Sequence, residues 1–153
     1  MDALETRIPP PLAGLIMGAL AWLASSAFAP TAIPFALRLA VAVVFVLLGL
    51  VIAGAGVRTI RKAKTTLNPI KPETTSALVT AGIYQYTRNP MYLGMASWLL
   101  AWSAWLGTPA GLLGAPLFVL YMNRFQIGPE ERALTGLFGA EFASYQARVR
   151  RWL

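Results

Sequence analysis

The chain has 153 residues, 57% of them hydrophobic and 12% charged, with a formal net charge of +7 and neither cysteine nor histidine. That length holds one domain, and that composition suits a surface facing lipid rather than a water-soluble fold. The missing residue types exclude disulfides, thiolate nucleophiles, imidazole bases and the usual zinc and haem ligands, leaving carboxylates, tyrosines, lysines and arginines for chemistry.

Asp2 and Glu5 precede Arg7, the only basic residue before the first apolar stretch, and no small-residue cleavage site follows. The stretch therefore reads as a retained span rather than a signal peptide. Charged residues are absent from 8–37, from 39–57 and from 89–123. A spanning helix needs roughly 20 residues, so the last window holds two. Breaks at Ala29-Pro30-Thr31-Ala32-Ile33-Pro34 and Gly107-Thr108-Pro109 divide the windows, predicting spans at about 11–28, 34–57, 90–106 and 109–125. The second span is expected to continue through Arg58, Arg61, Lys62 and Lys64, whose side chains snorkel to the headgroups, because no helix breaker occurs before Asn68-Pro69.

Residues 65–89 make the longest non-spanning stretch, and a loop of that size in so small a chain points to function. Leu78, Val79, Ile83 and Tyr84 are expected to tuck against the bundle. After the fourth span, Pro129-Glu130-Glu131 reads as a new helix start, with proline in the first turn and acids against the positive end of the dipole. Gly139 interrupts that helix. Beyond it Phe142, Tyr145, Val149 and Trp152 recur at helical spacing among Arg148, Arg150 and Arg151, which describes an interfacial amphipathic helix lying on the membrane as a lid or rim. The predicted fold is a single all-α integral membrane domain over 1–153: four transmembrane helices, the last two forming a hairpin, a loop at 65–89, and helices at 129–153.

The cations sort by position. Arg58, Arg61, Lys62, Lys64 and Lys71 follow the second span, Arg88 precedes the third, and Arg124, Arg132, Arg148, Arg150 and Arg151 follow the fourth, whereas only Arg38 lies near either of the opposite turns. By the positive-inside rule both termini and both basic segments are cytoplasmic, and their charge meets anionic headgroups rather than nucleic acid.

Arg88 stands two residues before Pro90, which begins an apolar helix, so the guanidinium and the free N–H groups of that helix start converge on a spot suited to an anion. Glu130 and Glu131 should return to the same face, giving a site for a zwitterionic ligand. Each element also has a plain structural reading. Arg88 serves equally as a snorkelling anchor, Tyr84, Tyr86 and Tyr92 as an aromatic belt, and the acids as dipole partners worth roughly 0.3 to 1 kcal/mol each. On spacing both readings stay open. If the site is functional, one acid binds an ammonium while the other pairs with Arg124 or Arg132, and their coupling raises one pKa toward that of a general base. Trp98, Trp102 and Trp105 form a stripe that reads as packing rather than a cation cage, and Asn123-Arg124 as a polar helix exit.

The runs Leu78-Val79-Thr80-Ala81-Gly82-Ile83-Tyr84 and Arg88-Asn89-Pro90-Met91-Tyr92-Leu93-Gly94, followed by Pro129-Glu130-Glu131 with Leu134, Phe138-Gly139, Glu141-Phe142 and Tyr145, resemble the isoprenylcysteine carboxyl methyltransferases and their relative, phosphatidylethanolamine methyltransferase. The resemblance covers about 68–153 and implies a membrane enzyme that uses S-adenosylmethionine and releases S-adenosylhomocysteine, with no metal. It implies cofactor contacts from Ser76, Ala77, Leu78, Val79, Tyr84, Arg88, Asn89, Pro90, Met91, Tyr92 and Glu130. Asn89 stands where relatives often carry histidine, which excludes an imidazole base there. The family's substrate-contacting arginine aligns with Gln126, and Arg124 is close by.

The chemistry is coherent with the residues. The cofactor's carboxylate suits Arg88 and the helix start, its ammonium suits Glu130, and its sulfonium suits tyrosine faces. Glu131 and Arg124 are the expected catalytic pair, Glu131 as base or relay if the acceptor is an amine. The expected function is methyl transfer to a membrane-embedded or amphiphilic acceptor in a multi-pass bacterial inner-membrane protein. The alternatives are a phospholipid amine N-methyltransferase and, from another class, a small non-enzymatic membrane protein.

Overall fold

The computed structural model describes residues 5–64 and 77–153, and all of their regular structure is helical. Ser76 and the first part of the loop read as 65–89, through 76, lie outside the described residues. The main helices are α1 (Pro10–Ser25), α2 (Phe35–Lys62), α3 (Pro90–Leu106), α4 (Gly114–Tyr121) and α5 (Gly128–Arg148). Among the described residues, α2 is the one helix long and apolar enough to cross a membrane, and α1 is a shorter apolar helix. Leucines, valines and tryptophans of α1, α2 and α3 stand exposed around the molecule, a surface that water penalises and hydrocarbon accepts.

Small residues set how α2 meets α3. The buried positions on α2 are Ala42, Gly49 and Gly56, seven residues apart, so they form one stripe along the helix. A Cβ at Gly49 would fall 2.8 Å from the Gly94 carbonyl oxygen, and one at Gly94 would fall 2.8 Å from both the Ala53 Cβ and the Gly49 carbonyl oxygen. The two backbones therefore approach as closely as glycine permits. Two tryptophans of the predicted stripe reach across helices: the Trp98 indole donates to the Val46 carbonyl (3.3 Å) and that of Trp102 to Gly18 (3.1 Å). Contacts between helices are their observed use.

The uncharged turns gather at one end of the bundle. Gly107 closes α3 at φ +64°, its carbonyl accepts from the Thr31 N–H (2.7 Å), and the Thr108 hydroxyl donates to that of Ser25 (2.7 Å). Arg38 reaches the same turn, donating to the carbonyls of Leu106 (3.4 Å) and Trp105 (3.5 Å). A side chain at Gly107 would strike its guanidinium, which adds a steric reason for glycine to the conformational one.

Two sequence expectations need correction. The chain does not restart at Pro129. A 3-10 turn (Ala110–Leu113) leads into α4, a π-helical turn (Met122–Ile127) follows, and α5 continues from it with helical angles at Ile127 and Gly128. Pro129 has no N–H to give the Phe125 carbonyl, and the Thr6 N–H takes that acceptor instead at 3.0 Å. With no free N-terminus there, Glu130 and Glu131 are not dipole caps. The helix read over 140–153 is also shorter: α5 ends at Arg148, Val149 is extended, and Phe142, Tyr145 and Val149 are buried against Leu78, Leu134 and Phe138. Their apolar face is occupied by the protein's own loop and helix. Gly139, at φ +48°, interrupts α5 as its sequence suggests.

Candidate active site

The site lies where the start of α3, the start of α5 and the extended segment after α5 meet. Gly56 of α2 leaves room for Pro90, whose Cγ would stand 3.0 Å from a Cβ there, and Gly82, at φ +60°, lies against Thr59 of α2. The longest helix thus sets the height of both the loop and the helix start. Asn89 precedes α3 with no side chain capping the helix, while its own N–H donates to the Thr87 hydroxyl (3.2 Å).

Arg88 and Glu131 are brought together. Arg88 Nη2 donates to Glu131 Oε1 at 2.6 Å, and Arg88 Nη1 donates to the Val149 (2.5 Å) and Gln146 (3.3 Å) carbonyls. Arg151 completes the cluster: its Nε reaches Glu131 Oε1 at 3.0 Å and its Nη2 reaches Oε2 at 2.6 Å. Burial by itself would raise the Glu131 carboxyl, but hydrogen bonds from Arg151 and Arg88 outweigh it and hold the group below its usual pKa. The same pairing raises Arg151. Glu131 therefore pairs with Arg88 and Arg151 rather than with Arg124 or Arg132, which both reach Glu5 (3.5 and 2.6 Å).

Glu130 has the opposite environment. It accepts a short hydrogen bond from the Tyr92 hydroxyl and one from Gln126 Nε2 at 2.6 Å. Among the described residues no cation lies within ion-pair distance. Burial pushes the Glu130 carboxyl up to about 7; the donors Tyr92 and Gln126 oppose the rise, and the neighbouring Glu131 charge adds to it. One acid of the adjacent pair is neutralised and one is not. Tyr84 is raised, chiefly by burial, and Tyr145, which donates to the Tyr84 carbonyl at 2.7 Å, is pushed by burial up to about 12. Both are neutral phenols at physiological pH.

The remaining expected residues divide. Leu78 packs on the Phe142, Tyr145 and Val149 cluster, Pro90 and Tyr92 are buried at the α3 start, and Met91 packs against the main core. Ala77 and Val79 are half-buried. Arg124 projects outward from the π turn over the Phe125 ring, whereas Gln126 of the same turn is buried against Glu130. Sequence reasoning did not pick out Arg151, Trp152 or Thr87. Asn123 Oδ1 accepts from Trp152 Nε1 (2.9 Å) and Arg151 Nη1 (3.4 Å), and Asn89 Nδ2 donates to the Arg151 carbonyl (2.9 Å). The local signal available was the run of arginines ending in Trp152, which helical periodicity absorbed into a helix.

A cofactor bearing an amino acid fits these residues on two observations. Among the described residues Arg88 Nε is buried without a hydrogen-bond partner, a donor left over for an acceptor group. Glu130 is a largely desolvated carboxyl with no cation beside it among the described residues, which an ammonium would supply.

Among the described residues, helices clothed in apolar side chains carry an Arg-Glu-Arg cluster and a second half-buried acid at one end, the surface of a membrane-associated helical protein with a polar site. The chain belongs to the phospholipid methyltransferase family, whose model matches residues 37–141. It is 29% identical over 104 residues to protein-S-isoprenylcysteine O-methyltransferase B of Arabidopsis thaliana, covering 68% of this chain and 53% of that one. It is 32% identical over 116 residues to a probable protein-S-isoprenylcysteine O-methyltransferase of Oryza sativa, covering 74% and 59%. An uncharacterized protein of Haemophilus influenzae is 48% identical over 63 residues, 41% of this chain and the whole of that one. The chain thus spans little more than half the length of these two plant methyltransferases. No solved structure matches it.

Proposed function

We propose that the chain is an S-adenosylmethionine-dependent methyltransferase acting on a lipid-like or amphiphilic acceptor, of the isoprenylcysteine carboxyl methyltransferase type. The observation that carries this reading is a pair of unmet demands among the described residues: Arg88 Nε lacks an acceptor, and Glu130 lacks a cation. In this reading Arg88 and Asn89 bind the cofactor carboxylate, Glu130 its ammonium, and Tyr84, Tyr92 and the Leu78–Val79 stretch its remaining surface. When bound, the cofactor supplies an electrophilic methyl group on sulfur. The protein's task is then to align acceptor and donor and to exclude water, which accounts for a site lacking histidine and cysteine.

The acceptor's class follows from where protons go. A carboxylate acceptor needs no base. Glu131, held ionised by two arginines, is a poor proton acceptor and serves as structure rather than as the base expected of it. Exposed Arg124 remains the candidate for an anionic part of the acceptor. A phospholipid amine is the second reading; in it Glu130, raised to about 7 and hydrogen-bonded to Tyr92, takes the proton a methylated amine releases instead of holding the cofactor's ammonium. We further read the chain as crossing a bacterial inner membrane four times, with the site and both termini at the cytoplasmic face. The end-to-end segregation of charge supports that reading.

The test is calorimetric binding of S-adenosylhomocysteine to detergent-purified protein, followed by mass spectrometry of lipid extracts incubated with methyl-labelled cofactor. Binding in the micromolar range, weakened at least tenfold by E130Q, is expected. Absence of binding at millimolar ligand would return the chain to the non-enzymatic class.

A further inference from the structure

The side chains of Arg88 and Asn89, the residues closest to the proposed carboxylate site, are held from outside their own helix. The N–H of Arg88 donates to the Arg150 carbonyl (3.0 Å), the Thr87 hydroxyl to the Arg151 carbonyl (3.4 Å), and Asn89 Nδ2 to that same oxygen (2.9 Å). Arg88 Nη1 is held by the Val149 carbonyl. Every one of these acceptors belongs to the extended segment 149–151. That segment is fixed in turn at two side chains: Arg151 grips both oxygens of Glu131, and Trp152 and Arg151 share Asn123 Oδ1 on the π turn.

We infer that Arg151 is a positioning residue, and that docking of segment 149–152 onto Glu131 and Asn123 sets the orientation of the Arg88 and Asn89 side chains. The geometry explains the type of residue. Glu131 has two arginine partners, and its Oε1 is shared between Arg88 Nη2 and Arg151 Nε while Oε2 goes to Arg151 Nη2. Only a planar fork meets both oxygens at once; an ammonium at 151 would neutralise the acid without fixing its plane. With Glu131 free to rotate, Arg88 Nη2 loses its fixed acceptor and the guanidinium is free to turn. The fold also explains the reach of the effect. The Asn123 acceptor exists on this face because of the π turn, so α4, α5 and the segment after α5 lock as one unit.

For what the site binds, the inference rests on the methyltransferase reading, so its test has an arm without ligand. Hydrogen exchange of the ligand-free protein is expected to show the Arg88 amide protected in wild type and exposed at least tenfold more in R151A and R151K, with exchange across the middle of α2 unchanged. S-adenosylhomocysteine affinity is expected to fall at least tenfold in both variants, with KM for the cofactor rising by more than kcat falls. W152F, which loses one hydrogen bond but keeps the fork, is expected to show a smaller change in the same direction. Should R151K retain wild-type Arg88 protection, the side chain supplies charge alone and the inference is overturned. It is equally overturned if R151A lowers the melting temperature while leaving protection and affinity within twofold of wild type. If R151A does not fold, R151K and W152F decide. Failure of wild type to bind ligand overturns the methyltransferase reading instead, and the exchange arm still tests the docking.

Discussion

At the scale of single residues, the adjacent acids respond to pH in opposite directions. Glu130 has a folded pKa near 7 against a usual 4.5, so the native state holds its proton more tightly than the unfolded chain. Stability from this group is full below its usual pKa and declines as pH rises through about 7, by on the order of 3 kcal/mol in all. Glu131 is depressed, so its contribution is present above the usual carboxylate range and is lost on acidification below it. Between pH 5 and 7.5 the slope therefore belongs to Glu130. Melting temperature in detergent should fall over that interval in wild type and stay flat in E130Q; a retained slope in E130Q would place the titrating group elsewhere. Ligand binding should show the mirror image. An ammonium needs the ionised acid, so S-adenosylhomocysteine affinity should rise up to tenfold per pH unit below 7 and level off above it.

At the scale of elements, the α2 and α3 crossing sets the height of the site. Gly49 and Gly94 let the helices touch, and Gly56 on the same stripe receives Pro90 at the head of α3. A methyl at Gly94 would collide with the Ala53 Cβ and the Gly49 carbonyl, both on backbone or at its first carbon, where no side-chain rotation relieves the contact. G94A should cost about 1 to 3 kcal/mol and lower the melting temperature, with cofactor affinity falling as Pro90 shifts. G54A is the control, because nothing lies within 4 Å of a Cβ there. Equal effects from the two would remove the crossing as the cause. The π turn acts at the same scale. It directs Gln126 inward to Glu130 while Arg124 on the same turn stays exposed.

At the scale of the whole molecule, both uncharged turns sit at one end, and the basic end of α2, Arg88 and the acid pair at the other. The absence of native cysteine makes this polarity directly testable with single-cysteine variants. A27C, in the turn after α1, should react with a membrane-impermeant maleimide in intact cells, and S144C on α5 only after permeabilisation. Labelling of both from the same side would overturn the four-span topology while leaving family membership untouched.

Much of this was legible in the chain before any coordinates. The helices α1, α2 and α3 and the turn at Gly107 follow from local rules, uncharged windows and glycine and proline breaks, and the distribution of charge puts Arg88 and the acid pair toward one end. Partner choice did not follow. Whether Glu131 takes Arg151 or Arg132, whether Thr6 replaces the N–H that Pro129 lacks, and whether 149–152 continues a helix or folds back onto Arg88 depend on groups brought together from distant parts of the chain. Spacing decides which way a side chain faces. Which polar group it meets there, and whether water is left to solvate it, is settled only when the helices pack. That packing separated two neighbouring glutamates into one ionised strut and one buried acid near neutrality.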